Sequence, residues 1–184
     1  MNILYVTGNS GKYQNAKNFF LKFNISVDQA QLELDEIQSD DYTEIAIKKA
    51  QIAFSKVNAP LFVNDASWSI PALNGFPGPF MKYINKWFEP VDFINLMQTK
   101  SDRTILLRDI IVYVDENGYK VFTHEHAGEI LSTVANFEYK HSTDVVISLS
   151  GNHRSIAEEK MLGTLFVGGE DKIWNEFANW LQLR

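Results

Sequence analysis

The opening residues NILYVTGNSGKYQNAKNFF constrain the fold more than any other stretch of this chain. Asn2 to Val6 reads as a buried strand, and beyond a Gly-rich turn Tyr13, Ala16, Phe20 and Phe23 recur at helical spacing. A strand feeding a turn and then a helix is the unit from which α/β sheets are built. Such a turn carries backbone N–H groups without intrahelical acceptors at the positive end of the helix dipole, and Lys12 adds a full charge. The spacing is not that of a P-loop, because only Asn9 and Ser10 separate Gly8 from Gly11-Lys12, and it is not the dinucleotide fingerprint either. Two readings therefore stand side by side: an anion cradle, or two glycines that permit a tight turn.

Downstream, Ile25 and Val27 mark a second strand and LELDEIQSDD an acidic loop. Asp41 with Glu44 forms a capping-box pattern before Ala46, Ala50, Ala53 and Val57, the apolar face of a second helix. PLFVND reads as a short strand ending in polar residues, and PALNGFPGPF, with three Pro and two Gly, as a specifically shaped loop. Phe80, Tyr83, Ile84, Trp87 and Phe88 then make an aromatic helical face for core or dimer contacts, and Pro90 opens another helix. From Thr104 the texture turns to strands, with Asn117-Gly118 as a hairpin signal and EILSTV and DVVISL as later strands. A closing helix places Ile173, Trp174, Phe177 and Leu181 on one face. One domain follows over residues 1–184, with lobes of roughly 1–100 plus the last helix and of 101–150.

Composition narrows the chemistry. Seventeen basic against twenty-three acidic side chains give −6 overall, the wrong sign for coating nucleic acid, so an anionic ligand needs a local donor cluster or a metal. No stretch approaches a membrane span, and the cysteine-free chain without a leader pattern is expected in the cytoplasm. Glu36, Glu44 and Asp65 fall near element ends, where open α/β sheets bind ligands and where two carboxylates with phosphate oxygens suit Mg²⁺. Glu44 also serves as a cap and Glu36 as part of a solvated acidic run, whereas Asp65, after an apolar run, needs a partner. His124, His126, His141 and His153 are too scattered for zinc and read as ordinary polar residues.

Taken together, VTGNSGK, LDEIQSDDYTEIAIKKAQIAF, PLFVNDASWSIPALNGFPGPFMKY and FEYK resemble the Ham1 family of inosine triphosphate pyrophosphatases, in order and spacing from residue 3 to about 88. The resemblance implies a Ham1/Maf-like α/β fold: an elongated, mixed and bent sheet flanked by helices, two lobes with a central cleft, usually in a homodimer. It implies Mg²⁺-dependent cleavage of a nucleoside triphosphate, a noncanonical purine one such as ITP, dITP or XTP, to monophosphate and pyrophosphate. By the same resemblance Thr7, Gly8, Asn9, Ser10, Gly11 and Lys12 hold the phosphates with Lys49 facing them, and Ala66, Phe137 and Tyr139 also contact substrate. Glu36 and Asp65 become metal ligands, with Asp65, Lys12 and Lys49 as the catalytic set.

The chain departs from the family's pattern in three places. Asn64 stands where a second acid precedes the equivalent of Asp65, and Lys140 ends FEYK where the family has an acid. The family's purine-reading Ser-His-Arg before the last helix has no counterpart in VGGEDK, and Asn152-His153-Arg154 lies upstream of that position and is read as a coincidence. The alternatives are a weakened nucleotide-binding or scaffold protein of the same fold, and a pyrophosphatase for a different modified nucleotide.

Overall fold

A computed structural model describes residues 1–35, 37–165 and 170–184, so the expectation on Glu36 and most of the VGGEDK segment lie outside the described residues. The elements are β1 (Asn2–Val6), α1 (Ser10–Leu21), β2 (Ser26–Ala30), α2 (Tyr42–Val57), β3 (Leu61–Ser69), β4 (Pro77–Gly78), α3 (Met81–Trp87), α4 (Pro90–Leu96), β5 (Thr104–Asp115), β6 (Gly118–Ile130), β7 (Ile147–Ser148), α5 (Ile156–Leu162) and α6 (Glu170–Gln182). Short 3₁₀ turns at Pro71–Leu73 and Ser142–Val145 complete the set. Among the described residues the strands form one mixed sheet of order β2-β1-β3-β5-β6-β7, with β4 beside β3. β1 runs parallel to β2 and β3, whereas β4 and β7 pair antiparallel with their neighbours. The mixed α/β architecture expected from the strand–turn–helix opening is the one observed. No described helix is long and apolar enough to cross a membrane.

The chain divides into two compact units. The first comprises 1–66, 109–124 and 170–184, the second 67–108 and 125–169. In the first, strand alternation sorts side chains onto two faces. Ile3, Tyr5, Phe62, Ile111 and Tyr113 face α1 and α6, where they pack with Phe20, Trp174 and Phe177. Val6, Leu61, Val63, Ile110 and Val112 face α2, whose Ala46, Ala50 and Ala53 let the helix approach closely. The first core is heavily aromatic: Tyr5 stacks on Phe62 at 4.4 Å, and Phe177 lies 5.1 Å from Phe62. The second unit has its own core of Ile70, Ile84, Phe93, Met97, Ile105 and Val145 to Ile147.

Local details differ from expectation for identifiable reasons. Asp41 does cap α2, accepting from the Thr43 N–H, but Glu44 accepts from the Ser39 hydroxyl instead of closing the box. β3 does not stop at its polar residues; it continues through Asn64 and Asp65 to Ser69 because Trp68 and Ser69 pair with β4. EILSTV is a strand only to Ile130, where β6 ends, and DVVISL is a 3₁₀ turn followed by the two-residue β7. The hairpin loop is Glu116-Asn117, and Gly118 opens β6 at φ +128°, a conformation that favours glycine. On the aromatic helical face only Ile84 is fully buried, whereas Tyr83 and Trp87 are exposed.

A polar cluster closes the first unit. Asp115 accepts from the Asn117 N–H, the Tyr113 hydroxyl and the Arg184 guanidinium, the last at 2.6 Å. Arg184 also covers the rings of Trp180 and Tyr113. Burial pushes the Asp115 carboxyl up, but these donors outweigh it and hold the group below the usual carboxylate range. Burial, reinforced by the hydrogen bond to Asp115, pushes the Tyr113 phenol up to about 12.

Two outcomes are expected. Phe177→Ala, at a fully buried ring, should lower the urea-unfolding free energy by about 3–5 kcal/mol, whereas Trp87→Ala at an exposed one should change it by less than about 1 kcal/mol. Because the folded Asp115 pKa is depressed, its stabilisation is complete above the unfolded value near 3.8 and is lost as pH falls through the lower folded value. Wild type should thus exceed Asp115→Asn by about 1–3 kcal/mol at pH 7, with the gap closing below pH 3.8 in urea titrations.

Candidate active site

The turn between β1 and α1 forms one wall of a cavity of about 320 Å³, lined by Thr7, Gly8, Asn9, Lys12, Lys49, Asn64 and Asp65 together with Val6, Leu32 and Leu34. All of these belong to the first unit. The local sequence explains the turn. Asn9 sits in the extended conformation as the N-cap of α1 and its side chain accepts from the Lys12 N–H. The Thr7 hydroxyl accepts from the Asn9 N–H, and the Gln29 amide donates to the Thr7 carbonyl, pinning the end of β1 to the end of β2. The N–H groups of Gly8, Ser10 and Gly11 have no acceptor among the described residues.

The geometry of the glycines bears on the choice between cradle and turn. Neither Gly8 nor Gly11 has a positive φ, so the backbone here does not demand glycine. A Cβ on Gly8 would meet nothing within 4 Å, and one on Gly11 would touch the capping oxygen of Asn9 at 3.3 Å. At position 8 the absent side chain leaves the N–H open to an approaching group, which is what a cradle needs and a plain turn does not.

Charge converges on the same cavity. Lys12 is half-buried and its Nζ donates to the Asn64 carbonyl at 3.1 Å. Lys49, from the middle of α2, donates to both Asp65 oxygens at 3.0 Å. The Asp65 side chain retains 36% exposure, enough to meet a ligand while paired. The Asn64 amide donates to the Ile110 carbonyl and brings no charge. Among the described residues no three His, Cys, Asp or Glu side chains cluster as a metal cage. Asp65 with phosphate oxygens still matches what Mg²⁺ takes, since this ion uses one or two carboxylates and keeps oxygen positions for substrate and water.

The remaining expected residues are dispersed. Ser10 and Gly11 open α1, and Ala66 follows Asp65 on β3 with an exposed side chain. Phe137 and Tyr139 belong to the second unit, where they line a shallow hollow with Asn136 and Glu138. Phe137 packs against the second core, and the Tyr139 hydroxyl donates to Glu89 at 3.4 Å. Asn152, His153 and Arg154 contact Glu159, Glu129 and Glu158 respectively, so their polar groups serve the second unit's own structure. Gln29, Leu32 and Leu34 were not foreseen at the site. Only the position of Gln29 at a strand end could have pointed to it.

The fold and this cavity, with parallel strands that end at a helix N-terminus with open N–H groups, two lysines and a carboxylate, make this an α/β protein with a donor-rich pocket. The chain belongs to the Ham1 family, whose model matches residues 3–161. It is 29% identical to a dITP/XTP pyrophosphatase of Methanopyrus kandleri over 98% of this chain and 96% of that one. It is 30% identical to an inosine triphosphate pyrophosphatase of Candida glabrata over 71% and 72% of the two chains. Its fold is that of a Ham1 protein from Coxiella burnetii, with a TM-score of 0.85 over the full length of both and 18% identity.

If Gly8 serves ligand approach, Gly8→Ala should leave thermal stability within about 0.5 kcal/mol of wild type yet weaken inorganic tripolyphosphate binding several-fold by calorimetry. Lys12→Ala should weaken the same binding by about 10- to 100-fold.

Proposed function

We propose that this protein is a nucleoside triphosphate pyrophosphatase that hydrolyses ITP, dITP or XTP to the monophosphate and pyrophosphate with Mg²⁺. The observation that carries the reading is the convergence, in one cavity, of a helix N-terminus with open N–H groups, Lys12, Lys49 and the Asp65 carboxylate. The names of the Methanopyrus and Candida relatives supply the substrate class.

The parts divide by chemistry. The N–H groups of Gly8, Ser10 and Gly11 and the Lys12 ammonium hold the two terminal phosphates and stabilise the charge that the leaving pyrophosphate gathers. Asp65 accepts the proton of a water whose oxygen forms the new bond to the α-phosphorus as the bridging oxygen to the β-phosphorus departs. Lys49 keeps the Asp65 carboxylate oriented through its paired contacts. Asp65 and Glu36 would hold Mg²⁺, which would supply charge neutralisation at the phosphate oxygens. Thr7 and Asn9 shape the turn, Ala66 borders the carboxylate, and Phe137 with Tyr139 contributes aromatic contacts. The setting in this reading is a homodimer in the cytoplasm. Exposed Tyr83 and Trp87 offer contact area for a second copy, and a cysteine-free chain needs no oxidising compartment.

The neutral Asn64 favours a second reading, in which nucleotide binds without turnover because the metal site lacks a charge. Incubation of ITP, dITP and XTP with Mg²⁺ should release pyrophosphate and no single phosphate. Asp65→Asn should reduce the rate by about 10²- to 10⁴-fold in a protein with unchanged circular dichroism. Calorimetric binding of ITP with no pyrophosphate from any of the three would replace hydrolysis by the second reading.

A further inference from the structure

The three open N–H groups at the turn after β1 are not held alike. The Ser10 N–H shares a peptide with the Asn9 carbonyl, which accepts from the Tyr13 N–H, and the Gly11 N–H lies in the first turn of α1, so the helix orients both. The Gly8 N–H shares its peptide with the Thr7 carbonyl, which lies beyond the end of β1. β2 ends at Ala30, and among the described residues no backbone N–H donates to that carbonyl. Its donor is the Gln29 side-chain amide, at 2.9 Å. Gln29 is half-buried on β2 and does not line the turn cavity, whereas Thr7 and Gly8 do.

We propose that Gln29 is a positioning residue of the phosphate cradle, whose amide keeps the Thr7–Gly8 peptide turned with its N–H toward the ligand and its carbonyl toward β2. The inference rests on the phosphate reading of the turn cavity. In a planar trans peptide the N–H and C=O point in opposite directions, so a donor that fixes one fixes the other. Turned over, the same peptide would present its carbonyl oxygen to a phosphate, an acceptor in place of a charge-assisted donor. Little else opposes that rotation. It changes the Thr7 ψ and the Gly8 φ, as between type I and type II turns, and glycine accepts the positive φ that results. A Cβ at Gly8 would meet nothing within 4 Å, so no neighbour blocks the movement from that side. The open space that admits a phosphate thus leaves the peptide free to turn, and Gln29 supplies the restraint.

The test compares the intact wild-type protein with Gln29→Met, which keeps the side chain's length and removes the donor. Inorganic tripolyphosphate is the probe, and urea unfolding checks that both proteins fold. Calorimetry should find tripolyphosphate bound about tenfold more weakly by the variant. The NOE between Thr7 Hα and the Gly8 N–H reads the Thr7 ψ angle and should change several-fold in Gln29→Met, a local effect that lost stability alone does not produce. Gln29→Glu, whose carboxylate accepts and cannot donate, should show the same NOE change. Equal tripolyphosphate affinity in wild type and Gln29→Met overturns the positioning role and leaves the phosphate reading standing. Weaker binding with an unchanged NOE does the same. Tripolyphosphate that fails to bind even wild type overturns the phosphate reading and this role with it.

Discussion

The parallel pairing of β1 with β3, with Leu4 opposite Leu61 and Tyr5 opposite Phe62, is the constraint on which the first unit depends. It stacks the Tyr5 and Phe62 rings at 9° and so aligns the ends of the two strands. The chain leaving β1 then becomes the Gly-rich turn, while β3 continues into Asn64 and Asp65 at the same edge. Ligand sites of open α/β sheets lie beyond the carboxyl ends of parallel strands for this reason: side chains and helix N-termini arrive there together. The aromatic packing below has a functional consequence, since a shift of α6 or α1 would move Lys12 relative to Asn64.

Strand alternation does the rest of the sorting. Phe62 belongs to the α1 and α6 face and Val63 to the α2 face, and the period of two carries forward. Asn64 accordingly lines the turn cavity beside Lys12 of α1, and Asp65 meets Lys49 from α2. Two neighbouring polar residues thus serve different surroundings. A slip of one residue in the β1–β3 register would exchange them and bury a carboxylate against the aromatic core, at the cost of an unpaired buried charge.

The elements with strong periodicity were legible in the sequence. α2 and α6 carry apolar residues at helical spacing, and the glycine after Asn117 marks the hairpin, because in these stretches local pattern and tertiary packing agree. β3 was misjudged because its apolar run ends at Val63, although the ladder to β4 keeps the strand extended through polar residues. The two residues of β7 hold their place through antiparallel pairing with Glu129 and Ile130, a long-range contact that no local window contains. At the site, the turn could be named but not decided, since the spacing of Gly8 and Gly11 is the same in a cradle and in a turn. The φ angles add what spacing cannot, that neither glycine is required by a left-handed backbone.

Charge explains how a chain with a net −6 can attract a triphosphate. Around the turn cavity Lys12 and Lys49 face a single carboxylate among the described lining residues, so the local balance is positive while the remainder of the surface is not. An acid in place of Asn64 would cancel that excess, strengthening a cation site and weakening direct attraction for phosphate. In the proposed function, with the neutral amide tied to the Ile110 carbonyl, anion binding would fall on the two lysines and the open N–H groups. In the proposed function the neutral residue therefore biases the turn cavity toward an anionic ligand held by donors more than by metal.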